Sequence, residues 1–165
     1  GDYALPEDLC FVVAASGVIA EKTGAAKEKY NRLSLMTREI EKQFDENLSL
    51  AQVIEKYGFE EVEARLKDKD LIDRLTQFYI ETYEIIPQVS EHLQNGEIEK
   101  IGELIDLSHR NADKLLGNQI AETNFLQANA REIGAIAASA FGAGFGGSVY
   151  ALVKMDEAEK FMGEW

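Results

Sequence analysis

Two apolar, β-branched runs lie near opposite ends of this chain, Leu9–Ser16 and Ser148–Val153. Between them the pattern is almost wholly helical, so any sheet must be assembled from segments far apart in sequence. Both runs are apolar enough to be central strands, buried on both faces. A short third strand is expected at Ser139–Gly142. So few strands with such apolar sides make a sheet that looks incomplete, with missing strands or another domain expected to cover an edge. The fold class expected is α+β: mainly helical with a small antiparallel sheet.

The helical stretch divides at recognisable signals. Gly17 and Gly24 punctuate the exit from the first strand, and a charged helix is expected from Ala25 to about Phe44. Asn47 or Ser49 is suited to cap a short helix through Lys56, which Gly58 ends. Glu60–Leu66 reads as another short helix. From about Asp70, residues Leu71, Leu75, Phe78, Thr82, Ile85 and Val89 recur at spacings of three and four, with a kink predicted at Pro87. Asn95-Gly96 ends that helix, and Ile98, Ile101, Leu104, Ile105 and Leu115 mark the next. Gly117-Asn118 interrupts before an alanine-rich helix from Gln119 to about Ala137, and Asp156 is placed to cap a last helix.

The densest glycine cluster, Phe141-Gly142-Ala143-Gly144-Phe145-Gly146-Gly147-Ser148, leads directly into the second firm strand. It is either a sharp structural turn or an oxyanion-binding element, since its backbone is free to take φ > 0 and to admit a ligand. Gly142, Gly144 and Gly147 satisfy the bare spacing of a dinucleotide fingerprint, but a strand follows where that motif needs a helix. A Walker loop fails too, because Ser148 stands where a lysine belongs.

Charge narrows the partners. At 165 residues with a net charge of −13, the chain is one domain with no basic face for nucleic acid. The same charge sits awkwardly with an independent site for a polyanion such as ATP, and implies that the cationic half of any such site lies elsewhere. Cys10 is the single cysteine, which precludes an intrachain disulfide and points to a reducing compartment. It lies in an apolar run and reads as a buried thiol. His92 and His109 lack the company a metal site needs. The apolar stretch Cys10–Ala20 is short for a membrane span and has no basic residues before it, so neither a membrane partner nor a signal peptide is expected.

Four stretches then agree, in order and spacing, with one family. Gly142-Ala143-Gly144-Phe145-Gly146-Gly147 resembles the third conserved motif of the GHMP small-molecule kinases, in the phenylalanine form of the galactokinases. Phe11–Ser16 resembles the strand opening the galactokinase C-terminal region, Tyr30-Asn31-Arg32 the tyrosine-led motif on the following helix, and Gly102–His109 the stretch ending Ser-His. The resemblance implies a GHMP kinase C-terminal domain covering residues 1–165. Its partner would be an N-terminal kinase domain of the same polypeptide, and the chain would be truncated after Trp165 before one or more closing strands.

The family's sugar-orienting motif, serine-rich phosphate loop and base aspartate are not found here. By this resemblance the parent transfers a phosphoryl group from Mg·ATP to the anomeric hydroxyl of a galactose-like sugar in the cytoplasm. This chain alone would then be inactive, hold neither catalytic residue nor metal ligand, and bind ATP and Mg only weakly. Gly142, Ala143, Gly144, Phe145, Gly146 and Gly147 would border the phosphates or the sugar. Tyr30 would touch the sugar or sit at a domain interface, and Ser108-His109 would cap or bridge two helices rather than take a catalytic part. Asn118, Gln119 and Glu122 read as a solvated helix start. They stand where galactokinases usually carry a Ser-Cys-Pro-Glu-Leu-Asp-like segment, and Phe141 replaces the usual threonine before the loop, which leaves the sugar open. Two alternatives share these residues: a non-catalytic sugar- and nucleotide-binding regulator, and an interaction module whose glycine loop is only a turn.

Overall fold

The computed structural model describes residues 5–19 and 25–165, the side chains of residues 25–28 and 30 excepted. Gly24 therefore lies outside the described residues, as does the side chain of Tyr30. Three strands, β1 (Leu9–Ala15), β2 (Ala137–Ala140) and β3 (Ser148–Lys154), form one antiparallel sheet in the order β1-β3-β2. Phe11 pairs with Leu152 and Val13 with Tyr150, while Ser139 meets Tyr150 from the other side.

The central strand is β3, whose Val149, Ala151, Leu152 and Val153 are all buried. β1 corrects the expectation of a second central strand. It is an edge: Val12 is buried on the face it shares with Ala151, whereas on the opposite face Leu9 is buried but Phe11 and Val13 are 58% and 57% exposed. An unbroken apolar run describes a strand with two apolar faces, but cannot say whether something covers both. Phe11 does find an edge-on partner in Tyr150, at 5.7 Å between ring centres. β2 starts two positions before the expected strand because Ala137, read as the end of a helix, and Ala138 are buried against the sheet's neighbours.

Helices cover both faces of the sheet. On one, Val12, Ala138, Ala151 and Val153 pack with Ala130 of α7 (Ala121–Glu132) and Phe161 of α8 (Ala158–Glu164). Trp165 Nε1 donates to Leu126 O at 3.0 Å and ties the chain's last residue to α7. On the other face, Leu9, Ala137 and Leu152 pack with Ile101 of α6 (Ile101–Asn111) and Val89 and Leu93 of α5 (Ile86–Gln94). A separate core without strands joins α1 (Ala25–Phe44), α2 (Leu50–Tyr57), α3 (Phe59–Arg65) and α4 (Lys69–Tyr79) around Ile40, Val53, Val62 and Leu75.

Local signals explain most boundaries. Ser49 and Gln52 make a reciprocal capping box on α2, and Asp68 caps α4 through the Asp70 amide. Where Pro87 predicts a kink, the chain makes a π-helical turn at Ile80–Ile85 and places the proline in the first turn of α5. A proline has no N–H to give to the ladder, and the wider turn before it absorbs that loss. A second π-helical turn, Ala112–Leu116, follows α6 and ends at Gly117 in the left-handed region. α7 stops at Glu132, short of the expected end. Asp156 sits inside a 3-10 turn, Met155–Glu157, rather than at the cap of α8.

Candidate functional site

The glycine loop joins β2 to β3, and its base closes where the Phe141 amide donates to Ser148 O at 3.2 Å. Beyond that it is held from two sides. The Phe145 amide donates to Asn118 O at 2.6 Å, and Asn118 Nδ2 returns a bond to Ala143 O at 3.4 Å. On the other side the Gly147 amide donates to Val18 O at 2.9 Å, while Gly147 O accepts from the Ser16 amide at 2.8 Å. These close approaches need glycine at two positions. A Cβ on Gly144 would stand 2.1 Å from Asn118 O, and one on Gly146 would stand 2.7 Å from Val18 O. Phe145 itself holds φ of 59°, a conformation few side chains adopt unless their surroundings enforce it.

The loop therefore has two parts. Gly144 and Gly146 are buried, whereas Gly142 and Ala143 form an exposed tip. Asn118 overturns its reading as part of a solvated helix start. It is 8% exposed, because left-handed Gly117 turns the chain inward just before it. Glu122 is exposed, as a helix start predicts.

The stretch Gly102–His109 on α6 supports the strand that feeds the loop. Gly102 lies so close to the turn after α7 that a Cβ would stand 2.3 Å from Ile136 O. Asp106 receives Arg131 Nε at 3.0 and 3.1 Å and Gln127 Nε2 at 2.7 Å. Arg131 also donates to the carbonyls of Ala135 and Ile136, immediately before β2. Ser108 Oγ donates to Glu81 Oε2 at 2.9 Å, reaching the first π-helical turn. His109, 4% exposed, has Nε2 at 3.0 Å from Asn124 Oδ1, and its Nδ1 lies 3.3 Å from both the Ala140 amide and Ser139 Oγ. The bridging role expected of Ser108-His109 is therefore present, and it extends from helices to β2.

Burial pushes the His109 imidazole below its ordinary value near 6.5, against the opposing pull of the Asn124 bond and of Asp113 and Asp106. The unfolded chain then binds a proton that the folded chain refuses. Stability should rise with pH in the window just below 6.5 and level off above it. Urea midpoints measured between about pH 5 and 7 check this, and the slope should flatten in a His109→Gln chain.

Comparison with known proteins places this geometry. Residues 89–165 match the family model for the C-terminal region of GHMP kinases, "GHMP kinases C terminal". Residues 89–165 thus belong to the GHMP kinase C-terminal family. Galactokinase of Thermococcus kodakarensis is 30% identical over 155 residues, which is 93% of this chain and 41% of that protein. Galactokinase of Pyrococcus furiosus is 38% identical over 72 residues, 44% of this chain and 20% of that protein. In three dimensions, Lactococcus lactis galactokinase complexed with galactose superposes with a TM-score of 0.78 at 26% identity, covering 96% of this chain and 40% of that one. L. major mevalonate kinase in complex with R-mevalonate, at 17% identity and a TM-score of 0.56 over 93% of this chain and 36% of that one, shares the fold. The chain thus spans about two fifths of the length of the first galactokinases it matches.

A cleft of about 370 Å³ opens beside Phe145, lined also by Lys29, Arg32, Asp70, Lys114 and Gly117. Its cations are largely balanced: Arg32 pairs with Asp70, and Lys114 lies 2.8 Å from Asp113. Lys29 Nζ sits 5.7 Å from the centre of the Phe145 ring. The backbone of Tyr30 lies on α1 between Lys29 and Arg32, both of which line the cleft, and its hydroxyl falls outside the described residues. Among the described residues there is no group of three or more His, Cys, Asp or Glu able to hold a metal ion. No helix among them is long and apolar enough to cross a membrane. The loop contacts that motif reading missed are those of Asn118, Ser16 and Val18, made through backbone groups and the Asn118 side-chain amide; the signals beside them were the Gly117-Asn118 break and Gly17.

Proposed function

We propose that this chain forms the C-terminal domain of a galactokinase-like sugar-1-kinase, transferring the γ-phosphoryl group of ATP to the anomeric hydroxyl of galactose or a related sugar. The observation that carries this reading is the glycine loop fixed at Asn118 and Val18, with an exposed tip at Gly142 and Ala143. Likeness to a galactokinase complexed with galactose over nearly the whole chain supports it. In this reading the tip presents its backbone to sugar or phosphate. Gly144, Phe145, Gly146 and Gly147 hold the tip in place, since the Phe145 and Gly147 amides are engaged by protein carbonyls.

Tyr30 is the residue assigned to the sugar. Phosphoryl transfer depends mainly on positioning and on stabilising charge. Here this domain supplies position, and an N-terminal domain of the same polypeptide supplies the phosphate loop, the Mg²⁺ ligand and the catalytic groups. That division accommodates a net charge of −13 on a chain that works beside ATP. A cytoplasmic site of action belongs to this reading, because ATP is the donor.

The test is galactose-dependent ADP release, measured on the pure 165-residue chain and on the polypeptide from the full reading frame. The expected result is no turnover by the chain and sugar phosphorylation by the longer polypeptide. Robust turnover by the chain alone would overturn the division of labour. Sugar binding without turnover by the longer polypeptide would make it a regulator.

A further inference from the structure

We propose that His109 is the positioning residue of the glycine loop, its imidazole fixing at once the strand that enters the loop and the helical turn that delivers the loop's Asn118 anchor. Two groups of fixed polarity set the direction of the bonds around the ring. The Ala140 amide can only donate, and it faces His109 Nδ1 at 3.3 Å. The Asp113 carboxylate can only accept, and it takes Asn124 Nδ2 at 2.9 Å. Between them the direction of every bond follows. Asn124 must turn its Oδ1 toward His109, so Nε2 carries the proton and donates across 3.0 Å, leaving Nδ1 as the acceptor.

This chain of bonds runs from β2 through α6 to α7 and ends on the π-helical turn Ala112–Leu116. Ala140 is the last residue of β2, directly before Phe141 and the tip. The Asp113 turn leads through Gly117 to Asn118, whose carbonyl holds the Phe145 amide. One buried ring therefore joins both approaches to the loop. A hydrophobic residue of the same size would fill the space but leave the Ala140 amide and the Asn124 carbonyl without these partners.

Two amide replacements separate the ring's two functions. His109→Asn puts an oxygen near the position of Nδ1 and keeps an acceptor for Ala140. His109→Gln reaches the position of Nε2, keeps a donor for Asn124 and leaves Ala140 without its acceptor. Nitrogen–proton spectra of the full 165-residue chain read both effects. The wild type should show the Nε2–H tautomer. His109→Gln should shift the amides from Ala140 to Gly147 and speed exchange of the Ala140 amide about tenfold, while the β3 amides stay in place. His109→Asn should restore the wild-type loop spectrum.

An Nδ1–H tautomer, an unmoved loop in His109→Gln, or equal shifts in both variants would overturn the proposal. If neither variant folds, the wild-type tautomer decides. The proposal's kinetic consequence rests on the sugar-kinase reading. In the longer polypeptide His109→Gln should raise KM for galactose about tenfold with a smaller change in kcat, and His109→Asn should reverse this. A loop that moves as expected in a polypeptide that phosphorylates no sugar would uphold the positioning role and refute the sugar-kinase reading alone.

Discussion

Gly144→Ala is expected to melt about 5–15 °C below the wild-type chain, following a loss of about 2–4 kcal/mol. Two costs combine at this position. Its φ of 87° is one that an L side chain rarely adopts, and the added Cβ would stand 2.1 Å from Asn118 O. That oxygen cannot move aside cheaply, because it accepts the Phe145 amide and lies on backbone turned inward by Gly117. Gly142→Ala is the matched control: φ is again 87°, but a Cβ meets nothing within 4 Å. It should cost only the conformational strain, about 1–2 kcal/mol. Calorimetric melting of the two chains tests the comparison, and equal losses would show that the Asn118 contact does not constrain the loop. In the longer polypeptide, Gly144→Val should remove most sugar-kinase activity, and unchanged kinetics would count against a close approach of the loop to ligand.

Gly102→Ala should be of similar size for a different reason. Its backbone is ordinary helix, where alanine normally stabilises. Here the Cβ would stand 2.3 Å from Ile136 O and 2.7 Å from Arg131 Nη2. Helix α6 must lift from the turn before β2, and Arg131 must give up part of its bonding to Asp106, Ala135 and Ile136. The expected loss is about 2–4 kcal/mol, against a neutral or slightly stabilising effect for Gly163→Ala in α8, where a Cβ meets nothing within 4 Å. Denaturant unfolding of the two chains checks it. A stable Gly102→Ala chain would mean that the packing of α6 on β2 is looser than described.

How much of this was legible in the sequence depended on how local each cause was. Ser49 announces its helix because the capping box is made within four residues. Gly117 marks a real helix end for the same reason. The loop's glycines and the order of the motifs were equally readable, and they carried the family. The edge position of β1 was not, because apolar content records what a strand tolerates and not what covers it. Nor was Asn118, whose function lies in a backbone carbonyl meeting an amide 27 positions later. Ala137 misled in a third way: alanine favours helix locally, and burial places it with Ala138 in a strand.

In the proposed function the loop's anchored half holds an exposed tip against a sugar bound in a cleft shared with another domain. Galactose titrated into the longer polypeptide, with the amides of residues 142–147 followed by NMR, tests it most directly. Saturable shifts are expected at Gly142 and Ala143 and at Tyr30, with the hydrogen-bonded amides of Phe145 and Gly147 moving little. Sugar turnover with Gly142 and Ala143 unmoved, or shifts confined to residues remote from the loop, would contradict it.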